Sequence, residues 1–168
     1  MSCAESPEER EGWHYRWMQP GEEIAVCDLV NRVFDEFVAP LFAQEGVREF
    51  RTYTQPDAMR HRSQADHFVL VAAAPDQIAG MIEMRDWSHV SLLFVDKEFQ
   101  GLGISRELLQ QALDICLEQR PDLRHVTVNS SPNSVRIYER LGFRATSPEQ
   151  LVNGIHFTPM ILKIRQAG

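Results

Sequence analysis

One stretch, HVSLLFVDKEFQGLGISRELLQQALDICLEQR from His89 to Arg120, limits what this chain can fold into more than any other. It opens on Val90 to Val95, an unbroken apolar run of strand length that ends at the turn-prone pair Asp96-Lys97. Gln100, Gly101, Leu102 and Gly103 follow as a short glycine-rich turn. Ile104, Leu108, Leu109, Ala112, Leu113, Cys116 and Leu117 then recur at helical spacing. The helix stops at Arg120-Pro121, because proline disfavours the helical conformation of the residue before it.

Strand, glycine turn and helix in that order have a chemical consequence. The first amides of a helix lack intrahelical partners and sit at the positive end of its dipole. Glycine lets a phosphate oxygen approach such amides, so residues 100–105 are a candidate anion cradle. The same residues also suit a tight turn that binds nothing. A P-loop would open its helix on Gly-Lys-Ser/Thr, whereas Ile104-Ser105 follows the second glycine here. A dinucleotide-binding turn wants a small residue where Arg106 stands. Both fit poorly.

Around this unit the chain reads as one domain over 13–168, behind a polar segment 1–12 expected to fray. Trp13 to Met18 is a first strand candidate, and Glu22 to Val38 has helical spacing with acids in its first turn. From Leu41 to Asp66 the pattern weakens, apart from a short helix starting at Pro56-Asp57. That region reads equally as a connector or as the wall of an acceptor pocket. Phe68–Ala74 and Gln77–Arg85 form a hairpin turning at Pro75-Asp76. Arg124–Asn129 alternates as a strand, and Pro132–Leu141 is helical, closing at Gly142. Asn153-Gly154 marks a last hairpin, whose second strand has an edge or a bulge at Pro159.

Composition narrows the class. A net charge of −7 disfavours nonspecific nucleic-acid binding and suits a cationic partner. Cys3, Cys27 and Cys116 are widely spaced and form no CxxC pair, which indicates neither a disulfide framework nor a zinc site. The acidic start has no signal-peptide core, and the longest apolar run, Phe68–Ala74, is too short to span a bilayer. A reducing, cytoplasmic setting is expected, with no metal and no membrane partner.

The central stretch resembles motif A of the GCN5-related N-acetyltransferases (GNAT), a strand followed by Gln/Arg-x-x-Gly-x-Gly/Ala opening a helix. It reads Gln100-Gly101-Leu102-Gly103-Ile104-Ser105, with Ser105 in the last small position. Downstream, Tyr138, Gly142 and Phe143 match motif B, Asn-x-x-Ala-x-x-x-Tyr-x-x-x-Gly-Phe, with Ser134 in the alanine place and Asn133 directly before it. The order of elements agrees over nearly the whole chain. The resemblance implies an α/β fold of acyl-CoA N-acyltransferase type, with a mixed, mostly antiparallel central sheet flanked by helices. It also implies acetyl-CoA as co-substrate, an amine acceptor and direct transfer between them, and homodimers occur among such proteins.

By the same resemblance, Gln100, Gly101, Leu102, Gly103, Ile104 and Ser105 hold the pyrophosphate. Backbone groups of Leu93, Phe94 and Val95 pair with the pantetheine arm and polarise the thioester carbonyl. Asn129 and Asn133 are candidates for side-chain contacts to the cofactor, although asparagine serves turns and helix caps equally well. Tyr138 is the general acid. A phenol of pKa about 10 can protonate a leaving thiolate of pKa about 8.5 as it forms. An alkylammonium near pKa 10 must lose a proton before attack. Its base is His89 at the start of the central strand, Glu83 on the preceding strand, or a water relay. The acceptor is a small amine or a peptide amine. An acyl-CoA-binding module without transfer activity is the alternative.

Overall fold

The computed structural model describes residues 12–165. The chain enters on β1 (His14–Trp17) and continues through α1 (Glu23–Phe37), α2 (Gln44–Tyr53) and α3 (Pro56–Ser63). A meander of β2 (His67–Ala74), β3 (Gln77–Arg85) and β4 (His89–Val95) follows. The glycine turn leads into α4 (Ile104–Gln119), which returns the chain to β5 (His125–Ser130). Then come α5 (Val135–Arg140), β6 (Arg144–Ala145), β7 (Gln150–Val152) and β8 (Ile155–Lys163). The sheet order is β1-β2-β3-β4-β5-β8-β6, with β7 paired to β8. β4 and β5 are parallel, as a strand–helix–strand crossover requires, and the other pairs are antiparallel.

Helices cover both faces of the sheet, which explains the continuous apolar run of β2. Phe68, Leu70 and Ala72 enter the core shared with Ile104, Leu108, Ala112 and Cys116 of α4. Val69, Val71 and Ala73 point the other way, into the core shared with Val26, Leu29 and Val30 of α1 and Met59 of α3. The two-residue alternation of a strand delivers neighbours to opposite cores.

The observed elements fall within a few residues of those expected, with two additions, α2 and the two-residue strand β6. Helix α2 was not expected, because its apolar stripe is only Val47, Phe50 and Tyr53, with Gly46 inside it. Pro159 sits inside β8, opposite Asn129 of β5. Its carbonyl accepts the Thr146 amide on the other side, just past the end of β6. The missing donor therefore faces the β6 side, and the ladder to β5 loses no bond. The expected frayed segment lies, Gly12 apart, outside the described residues. No described helix is long and apolar enough to cross a membrane.

The feature that makes room for a site is the parting of β4 from β5. They pair only at His89↔Thr127 and Val90↔Val128. On its other side β4 carries a bulge: Glu83 faces Leu92 and Met84 faces Val90, leaving Ser91 without a partner. Beyond Ser91 the strand keeps its bonds to β3 and leaves β5.

Candidate active site

The gap between the strands opens into a cleft of about 940 Å³. Its walls include Leu93, Phe94 and Val95 of β4, Asn129 of β5 and Tyr138 of α5. Asp96 donates its amide to Ala79 of β3 (2.7 Å), so alternation along the strand turns the peptide groups of Leu93 and Val95 to the open edge. The Phe94 backbone consequently faces β3, and this residue brings its ring to the cleft instead, 6.0 Å from the ring of Phe50.

At the carboxyl end of β4, Asp96 starts a short helical turn over Lys97–Phe99 and accepts the Glu98 amide with its side chain (3.1 Å). Arg32 of α1 holds the same carboxylate at 2.9 Å. The Gln100 side chain donates back to the Val95 carbonyl (3.1 Å), closing the turn. Gly101 and Gly103 both adopt left-handed backbone, at φ +83° and +84°. A Cβ on either would meet nothing within 4 Å, so conformation, not space within the protein, demands glycine there. The Gly103 carbonyl accepts the Glu107 amide (3.1 Å), starting α4 and leaving the amides of Ile104, Ser105 and Arg106 without an intrahelical acceptor. Gln100, Gly101, Gly103, Ile104 and Ser105 all line the cleft. This is the geometry of an anion cradle.

Tyr138 is held edge-on against Phe143, with ring centroids 5.4 Å apart. It is 7% exposed, and burial raises its phenol above the ordinary range, so the group is protonated at neutral pH. The Gly142 turn at φ +104° ends α5 and lets Phe143 fold back beneath it, its amide bonded to the Tyr138 carbonyl (2.9 Å). Asn129 and Asn133 also line the cleft, and their side chains are exposed and cap nothing among the described residues.

Three expected site residues stand apart from the cleft. Leu102 is half exposed and is not among the lining residues, while its neighbours Gly101 and Gly103 are. His89 lies at the opposite end of β4, its Nδ1 2.8 Å from the Thr127 hydroxyl. Burial, reinforced by the charges of Arg85 and His67, lowers this imidazole to about 4. Glu83 is fully buried, in a salt bridge to Arg62 (3.2 Å), and accepts the Tyr53 hydroxyl (2.9 Å). Its place in the fold is to tie α2 and α3 to the sheet.

Other cleft residues carried no motif. Arg106 follows the cradle and donates to the Arg140 carbonyl (3.1 Å), and both arginines line the cleft. Glu49 and His156 are the proton acceptors on the wall, and His156 Nδ1 lies 3.4 Å from Glu149 Oε2. No local signal marks them, because α2 and the β7–β8 hairpin reach the cleft only through tertiary packing.

The match to known proteins agrees with this architecture. Residues 38–164 match the family model described as an acetyltransferase (GNAT) domain. Among solved structures, a GCN5-related N-acetyltransferase from Rhodopseudomonas palustris superposes with a TM-score of 0.75 at 15% identity, over 90% of this chain and 96% of that one. The PaiA N-acetyltransferase of Thermoplasma acidophilum, in complex with coenzyme A, gives 0.73 at 19% identity, over 90% and 99%. The ribosomal-protein-S18-alanine N-acetyltransferase of Escherichia coli gives 0.65 at 14%, over 93% and 96%. No curated protein shows a significant match. The family model covers well over half of the chain, and the solved structures share its fold: the chain belongs to the GNAT acetyltransferase family.

Proposed function

We propose that this protein transfers acetyl from acetyl-CoA to a primary amine by direct attack of the amine on the thioester. The observation that carries the reading is the meeting, in one cleft, of the β4 free edge, the glycine cradle and the buried Tyr138. The residues fit the co-substrate along its length. Arg106, Arg140 and the α4 amides supply positive charge for phosphates, and the free edge of β4 supplies peptide groups for an amide-bearing arm. The thioester is the activated acyl donor when bound.

The remaining chemistry falls to the chain. Peptide groups of Leu93 and Val95 at the open edge orient the arm and stabilise the oxyanion; such a donor is worth ~3 kcal/mol in known cases. Tyr138, kept protonated by burial, gives its proton to the departing thiolate. A C–N bond forms and the C–S bond breaks; of the two protons the ammonium loses, the one shed after attack restores the Tyr138 phenol and the one shed before attack is released. His89 and Glu83 do not line the cleft, so that proton leaves through water, with His156 the imidazole on the wall to receive it. Cys27 and Cys116 are buried with thiols raised to about 11 and 12, which agrees with a path lacking a covalent enzyme intermediate.

The test is calorimetric titration with acetyl-CoA, together with thiol release across a panel of amines. Binding with amine-dependent release supports the reading. Binding with no release for any amine would point to an acyl-CoA-binding module, and no binding would remove the proposal.

A further inference from the structure

We infer that the acceptor end of this cleft takes a small primary amine bearing a single positive charge and an aromatic or similarly bulky apolar group. The inference rests on the transfer reading above and names its substrate class. It excludes polyamines, aminoglycosides and peptide lysines as preferred acceptors.

Part of the cleft wall is aromatic. Phe42 lies edge-on to Phe34 (5.6 Å between centroids), Phe34 stacks flat on Phe50 (3.8 Å, 8° between planes), and Phe50 leans on Phe94 (6.0 Å). The series thus runs from the turn after α1 to the strand that presents its free edge. Phe37 and Phe157 line the same cleft. Phe34 is fully buried and fixes the stack, while Phe50 and Phe94 keep partly exposed rings toward the cleft. Rigid arene faces of this kind favour an apolar or aromatic guest.

Charge sets the second condition. Among the described residues Glu49, one residue before Phe50, is the one acidic residue on the cleft lining, which also carries Arg106 and Arg140. One carboxylate matches one ammonium. A polyamine or aminoglycoside would leave its further ammonium groups against phenylalanine, where desolvation is unfavourable.

Closure sets the third. The β7–β8 hairpin is fastened to α2 by the Ala43 amide bonded to the Gly154 carbonyl (3.1 Å), and Gly46 of α2 packs on Gly154 without room for a Cβ. Val152, Ile155 and Phe157 therefore line the cleft from a hairpin held against α2. An open peptide groove would leave these two elements apart.

The experiment compares 2-phenylethylamine, hexylamine, spermidine, kanamycin and a lysine peptide by thiol release. Calorimetric binding of 2-phenylethylamine with coenzyme A present supplies a readout independent of turnover. We expect kcat/KM for 2-phenylethylamine to exceed that of spermidine and kanamycin at least about tenfold. Glu49→Gln should raise the amine KM about tenfold with kcat little changed, since it removes a charge-assisted contact made before reaction. Phe50→Leu, which keeps an apolar side chain but removes the ring, should narrow the preference for 2-phenylethylamine over hexylamine. Turnover led by spermidine, kanamycin or the peptide would overturn this inference and leave the transfer reading standing. Acetyl-CoA binding with neither turnover nor binding of 2-phenylethylamine would also overturn it. Failure to bind acetyl-CoA would remove the transfer reading itself.

Discussion

Gly46 and Gly154 meet backbone to backbone, so that a Cβ on Gly46 would overlap the Gly154 carbonyl. One residue lies in the first turn of α2 and the other, at φ +78°, at the tip of the β7–β8 hairpin. Their contact joins two elements that line the cleft and that our proposal places at its acceptor end. Gly46→Ala should favour the isolated helix yet push the hairpin away, lowering stability by about 1–3 kcal/mol. A urea titration measures the loss. The amine KM should rise while the acetyl-CoA dissociation constant stays near its wild-type value, because the cradle lies on other elements.

Gly103 is a cleaner test of the cradle. At φ +84° an L side chain is strained by about 1–2 kcal/mol, and the turn relaxes by reorienting the amides that open α4. Gly103→Ala should weaken acetyl-CoA binding several-fold by calorimetry. It should leave the amine preference unchanged.

Glu83 should matter for folding and not for the chemical step. Its carboxylate is fully buried, and Arg62 and Tyr53 satisfy it. Arg62→Met removes the positive partner from a buried charge and should cost about 3–5 kcal/mol. The Arg62 guanidinium also lies 3.6 Å over the Tyr53 ring, which adds to that loss. Unfolding midpoints of Arg62→Met and Glu83→Gln, read beside kcat for the folded fraction, separate the two roles. A kcat that fell with Glu83→Gln at full stability would return this carboxylate to the reaction.

His89 gives the fold a pH dependence. Burial, with Arg85 and His67 adding, lowers its pKa from the ordinary 6.5 to about 4. Between those values the unfolded chain binds a proton that the folded chain does not. Stability is therefore full above about pH 6.5 and declines as pH falls toward 4. Urea unfolding at pH 7 and pH 5 should show the decline in wild type and a smaller one in His89→Gln, which keeps a partner for Thr127.

How far the site could be read from the amino-acid sequence follows from where each residue's surroundings come from. The cradle is local: Gln100, Gly101 and Gly103 act through their own backbone and the helix that follows. Tyr138 is nearly local, since Gly142 and Phe143 fix its ring within one turn of chain. Glu83 and His89 read as titratable groups at strand positions. Only assembly shows one locked to Arg62 and the other at the wrong end of β4. The bulge at Ser91 leaves no mark in the apolar pattern, because register is a property of two strands together. Glu49 and Phe50 depend on α2, a helix with too narrow an apolar stripe to announce itself, and His156 on where the β7–β8 hairpin docks.

The most direct test of the central claim is thiol release from acetyl-CoA by Tyr138→Phe, alongside calorimetric binding of acetyl-CoA. The account predicts a fall in kcat of about 10²–10⁴ with the dissociation constant unchanged, because the hydroxyl acts on the leaving thiolate and the ring packing on Phe143 is retained. Unchanged turnover in the variant, with binding intact, would contradict it.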